Sequence, residues 1–269
     1  VSAARRMLEV CERFADEFKV MFNGDKSELV CMGSSQQDRE VMLSLNGRRI
    51  KQSPSAVHLG ARIGENASRE NVKKAVSDLY CSTNVLMSKF GNCSCDVLNS
   101  LFHSYCTSFF GSPLWNIHDI GPLIIAWRKC VKRVWKISLR TRTKYITLLP
   151  KIDIYPMLLL RFYNFFLRCI NSQNLILKFV SHVCQLEYCD ATRNLHLCCD
   201  ESHVPLNEVL LNAVEVRKNL YNMYFDLSEP DTITLVDALI ELCYVRDNIL
   251  VFDFDLSYND ITNLLHFFV

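Results

Sequence analysis

The sequence predicts an α+β fold that is predominantly α-helical, with a small antiparallel sheet near the N-terminus. Two observations carry this: apolar residues recur at intervals of three and four over most of the chain, and clear strand signals are confined to residues 28–63. A chain of 269 residues that is 49% hydrophobic can bury one sizeable core or two modest ones. With 8 Gly and 7 Pro it is neither low-complexity nor disordered.

The elements follow in order. Ala4, Met7, Leu8, Cys11, Phe14, Ala15 and Phe18 mark one amphipathic helix over the first twenty residues, and its apolar face requires a sheet to cover. Strands are expected at Glu28 to Met32, just before Gly33, and at Val41 to Leu45 paired with Arg48 to Lys51. Asn46-Gly47 joins that pair, because both residues tolerate the positive φ of a type I′ turn. A third strand region is expected at Val57 to Ile63. Ser68 is then a candidate N-cap for a long helix burying Val72, Ala75, Val76, Leu79, Thr83, Leu86 and Phe90. Asp96 caps the next, with Leu98, Leu101, Phe102, Tyr105 and Phe109 inward. Beyond Pro150 the pattern is helical. Met157 to Ile170 suits a central buried helix; Pro205 to Tyr224 turns Val209, Leu210, Ala213, Val216, Leu220 and Met223 inward; and Pro230 suits the first turn of a helix through Tyr244.

The net charge of +1 conceals an asymmetry: residues 1–150 hold 22 Lys+Arg against 13 Asp+Glu, and residues 151–269 hold 8 against 16. Only the first half is suited to a polyanion. Its densest block is Arg128, Lys129, Lys132, Arg133, Lys136, Arg140, Arg142 and Lys144, with no acid between them. On a helix, positions 128, 129, 132, 133 and 136 share a face opposite the stripe of Ile124, Trp127, Val131, Val134 and Trp135. A solvated cationic face, a phosphate-contacting face and a membrane-surface helix all fit that pattern.

Thirteen cysteines, an odd number at irregular spacing, argue for reduced thiols in an intracellular, reducing compartment, nucleus or cytoplasm, rather than a disulfide framework. Cys184, Cys189, His196, Cys198, Cys199 and His203 fall close together but lack the Cys-x2-Cys pair of a zinc site, so they read as small core residues. The longest apolar stretch, Met157 to Ile170, is broken by Arg161, Asn164 and Arg168, which argues against a membrane partner. The chain opens on Val1 without a basic-then-apolar leader and is read as a fragment or processed product.

Cys11-Glu12-Arg13-Phe14-Ala15-Asp16-Glu17-Phe18, Phe22-Asn23 with Lys26-Ser27, His58-Leu59-Gly60, Ser104-Tyr105-Cys106 and Gly111-Ser112-Pro113-Leu114-Trp115 occur in this order. In order and spacing they resemble the reverse transcriptases of non-LTR, LINE-like retrotransposons, over roughly the first 145 residues. The resemblance implies a truncated palm end with a primer-grip-like hairpin at 1-66, a thumb-like basic helical bundle at 67-150, and an acidic helical C-terminal region at 151-269. It implies RNA-directed DNA polymerase ancestry and an RNA/DNA template-primer duplex as partner. Where the family often has Tyr-Leu-Gly, this chain has His58-Leu59-Gly60, which puts the detailed grip geometry in question.

Nucleotidyl transfer in that family uses metal ions held by a paired-aspartate turn and a further aspartate. This sequence contains no Asp-Asp. Phe14-Ala15-Asp16-Glu17 comes nearest, but it sits within an unbroken helical pattern ten residues before Lys26. The aspartates, and with them the Mg, therefore belong to a missing N-terminal polymerase portion, and no cofactor is expected in this chain. By the resemblance, Lys26 is a candidate to screen or protonate departing pyrophosphate, although a solvated turn lysine explains it as well. Asn23 serves the turn, through αL backbone or a bond to its own main chain. Leu59 and Gly60 are candidates for the primer-grip hairpin, and Lys73, Lys74, Arg128, Lys129, Lys132, Arg133 and Lys136 for contacts to nucleic acid. The resulting expectation is a reverse-transcriptase fragment that binds template-primer but does not polymerise alone. The alternative is a noncatalytic α-helical interaction module for protein or nucleic acid.

Overall fold

A computed structural model of the chain describes residues 2–31, 42–141, 146, 153–186, 189–209 and 211–225. The expected features at Met32-Gly33, Val41, Leu210, Arg142, Lys144 and Pro230 to Tyr244 lie outside these residues. The fold is α+β and predominantly helical, as the periodicity predicts, and it divides into two compact units, Val1–Asn71 and Val72–Val269. Residues on either side of position 150 share the second unit.

In the first unit, helix α1 (Ser2–Phe18) lies over a short hairpin, β2 (Ser44–Leu45) and β3 (Arg48–Arg49). Ala4, Leu8, Cys11 and Leu29 pack on buried Leu43, Leu45 and Ile50, a core small enough that each such side chain matters, at ~1.5–3 kcal/mol apiece. Asn46 and Gly47 take φ of 51° and 71°, the positive values the dipeptide predicts. Glu12 Oε1 accepts from Asn46 N at 2.7 Å, fastening helix to turn. The helix turns only part of its apolar arc inward. Met7, Val10, Phe14 and Phe18 stay exposed, contrary to the inward placement that periodicity suggests for Met7, Phe14 and Phe18.

The remaining strands are β1 (Glu28–Val30), β4 (Lys51–Ser53), β5 (Ser55–His58) and β6 (Ala61–Gly64). The expected antiparallel sheet is realised in β2–β3 and β5–β6, but β1 and β4 pair in parallel, Glu28 opposite Lys51. A parallel pair needs a long connection, and the β2–β3 hairpin lies between these two strands in the chain. The strand region expected at Val57 to Ile63 forms a hairpin in which Leu59 and Gly60 reverse the chain at φ of 47° and 83°. Asn71 holds β6 in place: its Oδ1 accepts from Arg62 N at 2.8 Å and its Nδ2 donates to Arg62 O at 2.9 Å.

Helix α2 (Ala67–Phe90) starts one residue before the expected cap, so Ser68 lies in its first turn. Val72, Ala75, Leu79, Thr83 and Leu86 are buried as expected, whereas Phe90 at the helix end is exposed. Helix α3 (Cys95–Tyr105) takes Ser94 as its N-cap position and carries Asp96 in the first turn, where a carboxylate favours the helix dipole. Leu98 and Phe102 point inward and Tyr105 outward. Phe109, past the helix end, is buried against Trp115.

Helices α4 (Gly121–Val134), α5 (Ile154–Ile170), α6 (Leu175–Leu186), α7 (Asp190–Ser202) and α8 (Ala213–Phe225) complete the second unit. Helix α5 is the central buried helix the sequence predicts: Ile154, Met157, Leu158, Leu159, Phe162, Tyr163, Phe166 and Leu167 are all buried. Pro156 is tolerated because first-turn amides have no intrahelical acceptor, and Asp153 caps Tyr155 N. Helix α8 begins at Ala213 rather than near Pro205. Pro205 O instead accepts from Glu208 N and Val209 N, closing a separate turn that buries Val209. Side-chain hydrogen bonds cross position 150. Arg161 donates to Ser108 O and Thr107 O at 2.9 and 3.1 Å, and Asn194 bonds Trp115 O and Ile117 N at 2.7 and 2.9 Å. Among the described residues no helix is long and apolar enough to cross a membrane.

Candidate nucleic-acid interface

Helix α4 carries the densest cationic block, and its apolar stripe packs as the sequence predicts: Trp127, Val131, Val134 and Trp135 are buried and Ile124 half-buried. The opposite face is not uniformly free. Lys132 is 6% exposed, and its Nζ donates to Leu139 O at 2.8 Å and Thr141 O at 2.5 Å. The segment after the helix folds back over the polar face and its carbonyls enclose the ammonium. Lys132 is therefore a structural residue, which corrects its expected place among phosphate contacts. Arg128 is half-buried, with Nε shielded from solvent and lacking a hydrogen-bond partner among the described residues. Lys129 and Arg133 are exposed.

The helix ends before Lys136. Ile137 N bonds Lys132 O at 2.9 Å and Lys136 N bonds Arg133 O at 3.1 Å, the paired bonds of a Schellman motif, with Lys136 in the left-handed position at φ 55°. Glycine is the usual occupant there because a Cβ costs about 1 kcal/mol. Lys136→Gly is accordingly expected to raise stability by roughly 1 kcal/mol in denaturant unfolding. A fall would mean that the bond from its side chain to Cys93 O outweighs the strain of the turn.

Hydrogen bonds tie the end of α4 and the turn after it to α2 and the segment that follows it. Arg133 Nη1 donates to Asn84 Oδ1, and Lys136 Nζ donates to Cys93 O at 3.3 Å, just past the end of α2. Eleven residues separate Lys73 from Asn84, so the two sit on the same edge of α2 to within about 20° and about 16 Å apart. Exposed Ser77 lies between them, while Asp78 falls on a different face. The structure thus aligns Lys73, Arg133 and Lys136 along one edge, with Lys74 and Lys129 nearby on the same helices. Cations separated by small polar residues suit a phosphate backbone. Asn84 and the Cys93 carbonyl, which position this edge, carry no sequence signal of their own.

The first unit holds the other sequence-predicted residues. Asn23 caps the turn Gly24–Lys26, accepting from Asp25 N at 3.0 Å and Lys26 N at 3.3 Å. Its bond to its own main chain is as expected, but its backbone is extended, at φ −84°, rather than αL. Lys26 is exposed beside an Asp25–Arg48 ion pair. Leu59 is 79% exposed at the tip of the β5–β6 hairpin, at a position where Asn is the relaxed choice. A bulky residue held at positive φ marks a site where something other than stability sets the residue. Asp16 and Glu17 lie exposed within unbroken α1.

Among the described residues no three His, Cys, Asp or Glu side chains are grouped to hold a metal ion. Cys198 and Cys199 are buried in the core, and burial pushes both thiols up, the latter to about 11. The described side chains therefore do not fit a catalytic metal centre. No family model, curated protein or solved structure matches this chain.

Proposed function

We propose that this chain is the C-terminal part of a non-LTR retrotransposon reverse transcriptase, which binds an RNA/DNA template-primer duplex but does not polymerise without a preceding portion that carries the aspartates and their Mg. The observation that carries the reading is the edge of α2 on which Lys73, Arg133 and Lys136 line up beside Lys129. The order of elements adds support: a helix, the Asn23–Lys26 turn, a hairpin tipped by Leu59 and Gly60, and then the cationic helices. So does the exposed apolar face of α1, since Met7, Val10, Phe14 and Phe18 gain from burial against a polymerase palm.

Lys73→Gln, Lys129→Gln and Arg133→Gln together are expected to lower duplex affinity ~10- to 100-fold at low salt. They should flatten the dependence of log K on log salt by roughly 0.9 for each phosphate left without its cation. Titration of a fluorescent RNA/DNA duplex at several salt concentrations measures both, and an unchanged slope would sink the assignment. The second reading, a noncatalytic interaction module, is favoured by α6, which leaves Leu175, Ile176 and Phe179 between 68% and 80% exposed. With a protein as partner, that reading predicts no duplex binding at any salt.

A further inference from the structure

The charge of this chain is segregated more sharply than its two halves suggest. Residues 1–66 carry 10 Lys+Arg against 9 Asp+Glu, and residues 151–225 carry 7 against 7. Residues 67–150 carry 12 against 4, whereas residues 226–269 carry a single cation, Arg246, against nine acids. Two segments of one chain thus hold +8 and −8, and the rest is close to balanced. The positive segment is the one that builds the α2–α4 edge.

We propose that residues 226–269 dock on the Lys73–Arg133–Lys136 edge as an internal polyanion and compete there with nucleic acid. Charge complementarity identifies the occupant: the described helices after residue 150 are neutral on balance, so the acidic segment is the part of this chain able to match the cationic edge. Its composition fits the task. Phe252-Asp253-Phe254-Asp255 alternates apolar and acidic residues, so carboxylates recur along the segment with apolar groups between them. The segment's 44 residues are enough to run along the edge, which extends roughly 16 Å from Lys73 to Asn84. A segment tethered in the same chain competes at an effective concentration near millimolar, enough for individually weak ion pairs to hold off a duplex.

The inference rests on the proposed duplex-binding role for its competition step but not for the docking itself, and the experiment separates the two. In the full chain, carbodiimide treatment at low salt is expected to link Lys73, Lys74 or Lys129 to carboxylates within 226–269, identified by mass spectrometry and suppressed at high salt. Absence of such links overturns the docking. The full-length variant carrying Glu241→Gln, Asp247→Asn, Asp253→Asn, Asp255→Asn and Asp260→Asn is expected to lose the links and bind an RNA/DNA duplex about tenfold more tightly, with the gain fading as salt rises. If links form but the duplex fails to displace them and the variant binds no better, competition is overturned. If links form and neither chain binds a duplex, the docking stands and the template-primer reading falls. Because the cross-linking is performed on the unsubstituted protein, it decides the docking even where the variant does not fold.

Discussion

Gly64→Ala is expected to destabilise the first unit by about 3 kcal/mol, enough to unfold it while the core of the second unit persists. Gly64 sits at φ +116°, and a Cβ there would lie 2.4 Å from Pro54 O, 2.8 Å from Ser55 Cα and 2.9 Å from Val30 Cγ1. Two of the three obstacles are backbone, so no side chain can swing away. Left-handed strain contributes about 1–2 kcal/mol and overpacking about 1–3 kcal/mol. Gly64 also ends the strand that pairs with β5, next to Glu65, whose N bonds Pro54 O at 2.9 Å. Gly47 provides the control: its φ is +71°, yet nothing lies within 4 Å of an added Cβ. Gly47→Ala should therefore cost only the conformational part. Hydrogen exchange resolves the outcome, with protection expected to vanish over residues 51–64 in Gly64→Ala and to persist over 95–134. Equal losses in the two variants would show that steric approach contributes nothing.

The elements that sequence reasoning places well are those fixed by local periodicity. Helices α1, α2 and α5 and the Asn46-Gly47 turn follow from spacing and φ preference alone. What periodicity cannot see is which part of an apolar arc finds a partner. The arc of α1 runs from Val10 through Phe14 and Phe18 to Leu8, and the β2–β3 hairpin is wide enough to cover only the Leu8 side. Nor does alternation along Val57 to Ile63 reveal a reversal, because Leu59 is a poor turn residue and only the backbone shows that it adopts positive φ. Pro205 misleads in the opposite sense: it is a good first-turn residue, and it does start a turn, but that turn closes on itself at Val209 before α8 begins.

The candidate interface shows the same division, and Lys132 tests it. A helical wheel places Lys132 correctly on the face of α4 opposite Trp127 and Val134, yet says nothing about the chain after the Schellman turn, which returns to cover it. Lys132→Met keeps the apolar stem and removes the donors that hold Leu139 O and Thr141 O. With charge-assisted bonds worth ~1.5–3 kcal/mol each and only partial relief by water, the loss is expected to be about 3 kcal/mol. Under the proposed duplex-binding role, affinity measured below the melting transition, and its salt slope, should stay unchanged, because the ammonium is shielded from any phosphate. Arg133→Gln should do the reverse. Its guanidinium is exposed, so stability moves little while the salt slope flattens. Chemical denaturation and duplex titration on the same two variants give four numbers with opposite expected signs. A flattened salt slope in Lys132→Met without loss of stability would return Lys132 to the binding face and undo the distinction between enclosed and presented cations on which the interface rests.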